Sequence, residues 1–464
     1  MSLRLCLFSA SFNPPGKHHT QIAVELARVF EQVRIIPTGY RPDKSSNNAV
    51  APTLRAALVD LAFERLPGVV VDHFDLEQAW FTRTSELDSL FEPAGEVWHA
   101  VSAELCRGGS AGESFIQRKW QHGRELWNKI RWAVYAPADC NVSNSDLPPR
   151  HMLVTVPELG SSREIRRKLF DGEPCRELLD PAVWEYIHRY GIYQLSQPQS
   201  EALVGTAGKR LMIVADPGNA KALEWQERLA SLSTQTNPDF ILVLGGDGTM
   251  LGAIRQHWQM RRPFIGLNAG HLGFLMNEGS ELIGADGSLL QQLTVRRLPM
   301  LRVDLRQRDG TIVEDLSFND AWIERSTGQT AWLKVSMNGD VKLEKVVCDG
   351  LLVSTAAGST AYAMSMGASP LLADTPAWLL VGSNVMRPLG WKSAVLPLDA
   401  SIHIEGLSTE KRTLNGYVGG RLVPDVVEMT SHISRVATVE LAFSPRHDMA
   451  RKISDLQFGL VRGI

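Results

Sequence analysis

The chain has 464 residues, 48 Lys+Arg against 51 Asp+Glu, and 44% hydrophobic residues. That composition is ordinary for a globular protein of two to four domains and excludes wholesale disorder, a collagen-like repeat and a small disulfide scaffold. A formal charge of -3 supplies no global basic excess for nucleic acid or an anionic membrane, so neither is expected as a partner. The five cysteines form no Cys-x-x-Cys pair, which fits a reduced compartment, and no apolar run approaches the ~20 residues of a membrane span. A cytoplasmic protein is the expectation.

In chain order, Leu3–Phe8 reads as a first strand, running into a turn rich in Pro and Gly. Ile22, Leu26, Val29 and Phe30 then recur at helical spacing, Val33–Ile36 is a second strand, Leu54, Leu58 and Leu61 mark another helix, and Val69–Val71 is a third strand. Repeated βα units predict a parallel, doubly wound sheet of the Rossmann-like kind. The pattern closes at Trp184–Tyr193. Residues 194–209 are polar with Pro and Gly and read as a linker between a first domain, 1–193, and a second, 210–464. In the second, Leu211–Ala215 and Phe240–Leu244 are buried strands of an α/β lobe (210–300). Leu301–Leu305, Trp332–Met337, Ser401–Glu405 and Thr438–Phe443 alternate between turn residues and predict a β-sandwich lobe (301–440), followed by a C-terminal segment (441–464).

Two stretches carry chemistry. The first is Ser9-Ala10-Ser11-Phe12-Asn13-Pro14-Pro15-Gly16-Lys17-His18-His19, between strand one and helix one. Such a corner presents backbone N–H groups and the positive end of a helix, and suits a polyphosphate. It resembles the motif Gly-x-Phe-(Asn/Asp)-Pro-x-His-x-Gly-His of the nicotinamide/nicotinate-mononucleotide adenylyltransferase family, matching at Phe12, Asn13, Pro14 and His19. Gly160-Ser161-Ser162-Arg163-Glu164-Ile165-Arg166 echoes a second motif of that family, Ile-Ser-Ser-Thr-x-Ile-Arg. The resemblance covers residues 1–193. It implies that His19 and Arg166 stabilise the charge in flight during adenylyl transfer from ATP to NMN or nicotinate mononucleotide. Ser11, Phe12, Asn13, Lys17, His18, Ser161 and Ser162 would line the ATP and mononucleotide sites, with Trp120 stacking on the pyridine ring. Two positions depart from the motif: its first histidine falls on Gly16, and its glycine falls on His18. A non-catalytic nucleotide-binding or assembly domain is the alternative for this half.

The second stretch is Gly245-Gly246-Asp247-Gly248-Thr249, between a strand and a helical run. Glycines let backbone approach phosphates, and an aspartate among them can take a proton from a hydroxyl. Diacylglycerol kinases, sphingosine kinases and phosphofructokinases share such turns, so the turn alone leaves a lipid kinase open. Further on come Gly266-Leu267-Asn268-Ala269-Gly270-His271, then Phe318-Asn319-Asp320-Ala321, then Asp349-Gly350 and Gly358-Ser359-Thr360-Ala361-Tyr362. The four together, in this order, resemble the NAD kinase family over residues 210–464. That resemblance implies phosphorylation of NAD by ATP with Asp247 as base. Gly245, Gly246, Gly248 and Thr249 would face a magnesium-bound triphosphate, or one bound to another divalent metal. Asn319, Asp320, Asp349, Thr360, Ala361, Tyr362 and Ser365 would bind NAD. No protein-held metal site is expected, and a homo-oligomer, dimer or tetramer, is implied. His271 reads as a surface-loop residue near the site.

Overall fold

The computed structural model describes residues 3–41, 49–78, 80–140, 142–157, 160–194, 199–270, 273–278, 292–447 and 449–458. It divides into two compact units, residues 1–199 and 200–464.

The first unit is built on strands β1 (Arg4–Ala10), β2 (Gln32–Pro37), β3 (Val69–Val71), β4 (Glu96–Ser102), β5 (Arg131–Pro137) and β6 (His151–Val156). They form one sheet in the order β3-β2-β1-β4-β5-β6, parallel throughout. The chain winds one way from β1 to β3 and the other way from β4 to β6. In such a doubly wound sheet the strand order reverses at β1/β4, and ligands gather outside the carboxyl ends of the strands there. The turn after β1 therefore stands at the topological switch point. Helix α1 (Lys17–Ala27) follows it, with Ile22, Ala23 and Leu26 buried. The predicted first strand is shifted to Arg4–Ala10, so it delivers Ser11 directly to that turn.

The second unit opens with β7 (Glu201–Gly205), inside the stretch read as a linker; Leu195–Pro198 of that stretch lie outside the described residues. The strand is only five residues long and pairs along one edge, so its pattern is too brief to separate from loop sequence. Then come β8 (Leu211–Ala215), β9 (Phe240–Gly245), β10 (Phe264–Asn268) and the two-residue β11 (Asn277–Glu278). The next strands are β12 (Gln292–Gln307), β13 (Ile312–Ser317), β14 (Asp320–Arg325), β15 (Ala331–Met337), β16 (Asp340–Cys348) and β17 (Gly350–Ser354). The last are β18 (Ala377–Ser383), β19 (Ser393–Pro397), β20 (Ser401–Gly406), β21 (Leu414–Val418), β22 (Arg421–Val423) and β23 (Val426–Phe443).

The lobe boundary expected at residue 300 falls inside β12. That 16-residue strand pairs antiparallel with 18-residue β23, and β23 in turn pairs parallel with β10. One sheet therefore runs β16-β15-β20-β23-β10-β9-β8, from the sandwich into the α/β part. A second, antiparallel sheet runs β19-β18-β17-β14-β21-β22. Between the two sheets lies a core of Leu301, Val303, Ile323, Val335, Leu351, Trp378 and Ile404, among others. That is the expected sandwich, but it shares two continuous strands with its neighbour rather than forming a detached lobe. The α/β part has cores on both faces of β8–β10. Trp225 and Leu229 pack on one side, and Met250, Ile254, Phe318, Ala357 and Ile453 on the other. Among the described residues no helix is long and apolar enough to cross a membrane.

Candidate functional sites at the two glycine turns

β9 ends at Gly245, and helix Asp247–His257 starts two residues later with Gly246 as its N-cap. Asp247 is thus the first helical residue, where a carboxylate gains from the helix dipole. Its two oxygens each accept one backbone N–H: Oδ2 from Phe274 at 2.9 Å and Oδ1 from Leu275 at 3.1 Å. Burial nevertheless pushes its carboxyl above the ordinary value, with the two amides and Lys452 pulling the other way. Lys452 comes from the C-terminal helix Met449–Gln457 and donates to the carbonyls of Gly273 (3.1 Å) and Met276 (3.4 Å). It therefore clamps the segment whose amides hold Asp247. Neither those amides nor Lys452 has a signature in the sequence, because both roles belong to tertiary structure. Thr249 turns toward the strand, its side chain packed against Gly245. Gly246 and Gly248 have open space where a side chain would stand. His271 lies outside the described residues.

Asn319 and Asp320 sit at the head of β14. Phe318 and Ala357 beside them share a core with Met250 of the Asp247 helix and with Leu275. The two motifs are thus anchored on one hydrophobic floor. Asn319 is fixed by its backbone, its carbonyl accepting Thr355 N–H at 2.8 Å. Its side-chain Oδ1 is buried without a hydrogen-bond partner among the described residues. An orphaned buried acceptor costs ~1–3 kcal/mol and marks a place where a ligand donor fits. Gly358 makes this corner possible: a Cβ there would stand 2.3 Å from the Asn319 carbonyl oxygen. Burial alone raises the Asp320 carboxyl from 3.8 to about 6.

Asp349 is at the other end of the same ladder. Asp320 pairs with Ser354 and Glu324 with Gly350, so five residues of strand, ~17 Å at 3.4 Å each, separate the two aspartates. The chain does not bring them to one point. Asp349 accepts Asn384 Nδ2 at 2.7 Å and Arg325 Nε at 2.6 Å, and the Asn384 bond and the Arg325 cation hold its carboxyl below the ordinary value against partial burial. Sequence reading missed both partners. Thr360 and Ala361 are half-buried, Ser365 is exposed, and Tyr362 is 38% exposed. Tyr362 meets Trp322 edge-on at 5.2 Å, and Trp322 stacks on Tyr417 at 4.6 Å and 10°. This aromatic cluster extends the single aromatic seen in the motif. Its pairing was hidden because Trp322 and Tyr417 come together only through the β14/β21 register.

In the first unit, the 11–14 turn is held from several sides. Buried Arg55 donates to the carbonyls of Ser11 (2.7 Å) and Thr38 (2.8 Å). Ser162 Oγ donates to the Pro14 carbonyl (2.8 Å), Arg166 donates to the Asn13 carbonyl, and Tyr193 donates to Asn13 Oδ1 (2.5 Å). Phe12 and Asn13 are fully buried, Phe12 against Phe8 and Phe63. Both act as framework of the turn rather than as exposed ligands. Ser161 caps helix Ser162–Asp171 by accepting Glu164 N–H. His19, three residues into α1's entry, accepts the Gly16 N–H on Nδ1 at 3.1 Å. Lys17 is exposed beside it. Trp120 packs on Trp132 at 5.8 Å against a cluster with Ile116, Leu126 and Trp127. That packing accounts for Trp120 without a bound ring. A different aromatic site follows β2 and β3: a cavity of 640 Å³ lined by Tyr40, Phe74, Trp80, Phe81, Thr82 and Arg83. Buried Asp75 shapes it by accepting Gly39 N–H (2.6 Å) and Thr82 N–H (2.5 Å). The run Trp80-Phe81-Thr82 after a strand was the available signal.

Two family models match the chain: the ATP-NAD kinase N-terminal domain over residues 189–284, and the ATP-NAD kinase C-terminal domain over residues 318–434. The NAD kinase of Brucella suis biovar 1 (strain 1330) is 34% identical over 221 residues, covering 47% of this chain and 85% of that protein. The NAD kinase of Rickettsia bellii (strain OSU 85-389) is 32% identical over 243 residues, covering 52% and 94%. A crystal structure of yeast NADH kinase complexed with NADH superposes with a TM-score of 0.46 at 17% identity, covering 55% of this chain and 89% of that one. The matched domains take in the Gly245–Thr249 turn and the Asn319–Asp320 pair, and by the Brucella and Rickettsia relatives the chain belongs to the NAD kinase family.

Proposed function

We propose that the chain joins two steps of dinucleotide metabolism: the second unit phosphorylates the adenosine-ribose 2′-hydroxyl of NAD with ATP, and the first transfers the adenylyl group of ATP to NMN or nicotinate mononucleotide. The observation that carries the kinase reading is Asp247, a half-buried carboxylate at the mouth of a glycine turn, pinned by two backbone amides, its carboxyl held above the ordinary value by burial. In the step, the 2′-oxygen bonds to the γ-phosphorus, the bond from that phosphorus to the β–γ bridging oxygen breaks, and ADP leaves with the electron pair. Asp247 takes the hydroxyl proton. Asn319 Oδ1 and the Asp320 carboxylate supply acceptors for ribose hydroxyls, and Tyr362 with Trp322 supplies an aromatic face for a base.

Among the described residues no group of three or more His, Cys, Asp or Glu is placed to hold a metal ion. Magnesium would come with the triphosphate and keep water and phosphate oxygens as ligands, so it needs no such cluster and leaves Asp247 free to act as base. It would neutralise charge on the transferring phosphoryl group. Asp247→Asn tests the assignment. NADP formation should fall by a factor of ~10²–10⁴, the usual worth of a general base, with NAD binding retained; unchanged turnover would sink it.

For the first unit, the mononucleotide phosphate oxygen bonds to the α-phosphorus of ATP, the α–β bridge breaks, and pyrophosphate leaves. The aromatic cavity at Trp80 and Phe81 is the better place for the pyridine ring than Trp120. A second reading makes this unit a nucleotide-binding module without chemistry. It is favoured by Ser162 and Arg166, whose groups bond to the backbone of the turn. Exposed Leu389, Val395 and Met386 support assembly as a dimer or tetramer.

A further inference from the structure

Asp247 depends on a peptide that must itself be held. Phe274 and Leu275 give its two oxygens their backbone N–H groups. Their segment runs close over the carboxylate because Gly273 has no side chain; a Cβ there would stand 3.1 Å from Asp247 Oδ1. A glycine also lets the peptide beside it turn over with little steric penalty. A turned Gly273–Phe274 peptide would present its carbonyl, not its N–H, to the anion. Downstream the segment is fixed by buried Asn277, whose Nδ2 donates to the carbonyls of Gly266 (3.0 Å) and Ala442 (3.0 Å) and whose Oδ1 accepts Ser444 N–H at 2.8 Å. That anchor lies beyond both amides and does not set their direction.

Lys452 sets it. This residue is half-buried on the C-terminal helix, and its Nζ donates to the carbonyls of Gly273 at 3.1 Å and Met276 at 3.4 Å. The Gly273 carbonyl and the Phe274 N–H belong to one trans peptide and point opposite ways. The cation therefore sits at the carbonyl end of that peptide and the Asp247 carboxylate at its N–H end. Ile453, the next residue, is buried in the core with Met250, Leu275 and Met276, which fixes the helix that carries the lysine. The other charged groups around the carboxylate turn elsewhere. Arg255 of its own helix bonds the Gly419 carbonyl, and Asp320 on β14 is shifted by burial alone. Glu278 on β11 is exposed, and Arg451 and Asp455 pair with each other on the C-terminal helix.

We propose that Lys452 is a positioning residue for the kinase step: it locks the Gly273–Phe274 peptide with its carbonyl on the cation and its N–H on Asp247, which makes the C-terminal helix part of the catalytic assembly. The proposal rests on Asp247 being the base. Burial raises that carboxyl, while the two amides and the Lys452 cation draw it down. Lys452 thus acts on the base by its own charge and through the peptide it holds.

The test measures NADP formation from NAD and Mg-ATP by the full chain against pH, with urea unfolding as the structural control. Lys452→Met keeps the stem and removes the charge and the donors. It should lower kcat by ~10–10², the loss expected when a catalytic group is misplaced by about an ångström, with the KM for NAD retained. The deficit should deepen toward acid pH. The acid limb of kcat/KM reports the base of the free enzyme, and it moves up when the cation and the aligned amide are lost. Lys452→Arg, which keeps charge and donors, should restore most of the rate and the wild-type limb. Arg451→Ala, on the exposed side of the same helix, should change neither. If Lys452→Met unfolds the second unit, Lys452→Gln takes its place: it keeps a donor without the charge and should still show the raised limb. A uniform loss at every pH that arginine does not restore makes Lys452 merely structural and overturns the proposal. Wild-type kcat and acid limb without the lysine charge, with Asp247→Asn inactive, overturn it too and leave Asp247 as base. Wild-type turnover in Asp247→Asn overturns the base assignment, and the role of Lys452 with it.

Discussion

Asp320 should be a residue whose charge costs stability and provides binding. Burial raises its carboxyl from 3.8 to about 6. That difference is about 2.2 units at 1.36 kcal/mol each, or ~3 kcal/mol. The sign follows from proton binding. Between these two values the folded protein holds a proton that the unfolded chain has lost, so stability falls as pH rises through the window. Below about 4 both states are protonated and the cost vanishes. Asp320→Asn should therefore be more stable than wild type by up to ~3 kcal/mol at pH 7 and equal to it near pH 4. The same variant should bind NAD less well, because an ionised acceptor is worth ~1.5–3 kcal/mol per hydrogen bond, a ~10–150-fold rise in KM. Urea unfolding at the two pH values, with NAD kinetics at pH 7, measures both. Equal stability at both pH values would show that the carboxylate is not isolated as described. An unchanged KM would remove Asp320 from the NAD site.

Three further outcomes follow from the geometry. Gly358→Ala puts a methyl 2.3 Å from the Asn319 carbonyl and must displace that corner by about an ångström, so NAD kinase kcat/KM should fall by ~10² at a stability cost of ~1–3 kcal/mol; wild-type kinetics would mean that Asn319 does not touch substrate. Gly252→Ala, in the helix after Asp247 with open space around it, is the matched control and should stabilise by ~0.5–1 kcal/mol without changing kinetics. Arg325→Ala frees one Asp349 oxygen from a half-exposed ion pair, so unfolding should shift by less than ~1 kcal/mol while the KM for NAD rises; an unfolding shift with no KM change would make the pair purely structural.

The NAD kinase family was legible because its motifs are local. Gly245–Thr249 and Asn319–Asp320 keep their meaning wherever the rest of the chain goes, and the βα alternation of the first third prescribes a parallel sheet. The long-range features were not legible. β12 and β23 cross from one sheet region into another, and only their pairing with β10 and β7 shows that the sandwich is continuous with the α/β part. β7 was lost in polar sequence because an edge strand of five residues has little period to read. The clamp of Lys452 on Gly273, the Arg325–Asp349–Asn384 group and the packing of the His18 ring against Gly16 and Gly160 all depend on side chains distant in sequence or on ring direction, which no spacing rule encodes. Trp120 shows the opposite failure: a large aromatic in the expected stretch is accounted for by packing on Trp132.

The most direct test of two activities in one chain is a product analysis of the purified protein with Mg-ATP and each mononucleotide, run beside Asp247→Asn so that the kinase does not consume the dinucleotide. The account predicts dinucleotide and pyrophosphate from Asp247→Asn, and NADP accumulating with the wild type when NMN is supplied. Folded protein that converts NAD to NADP yet forms no dinucleotide from either mononucleotide would contradict it.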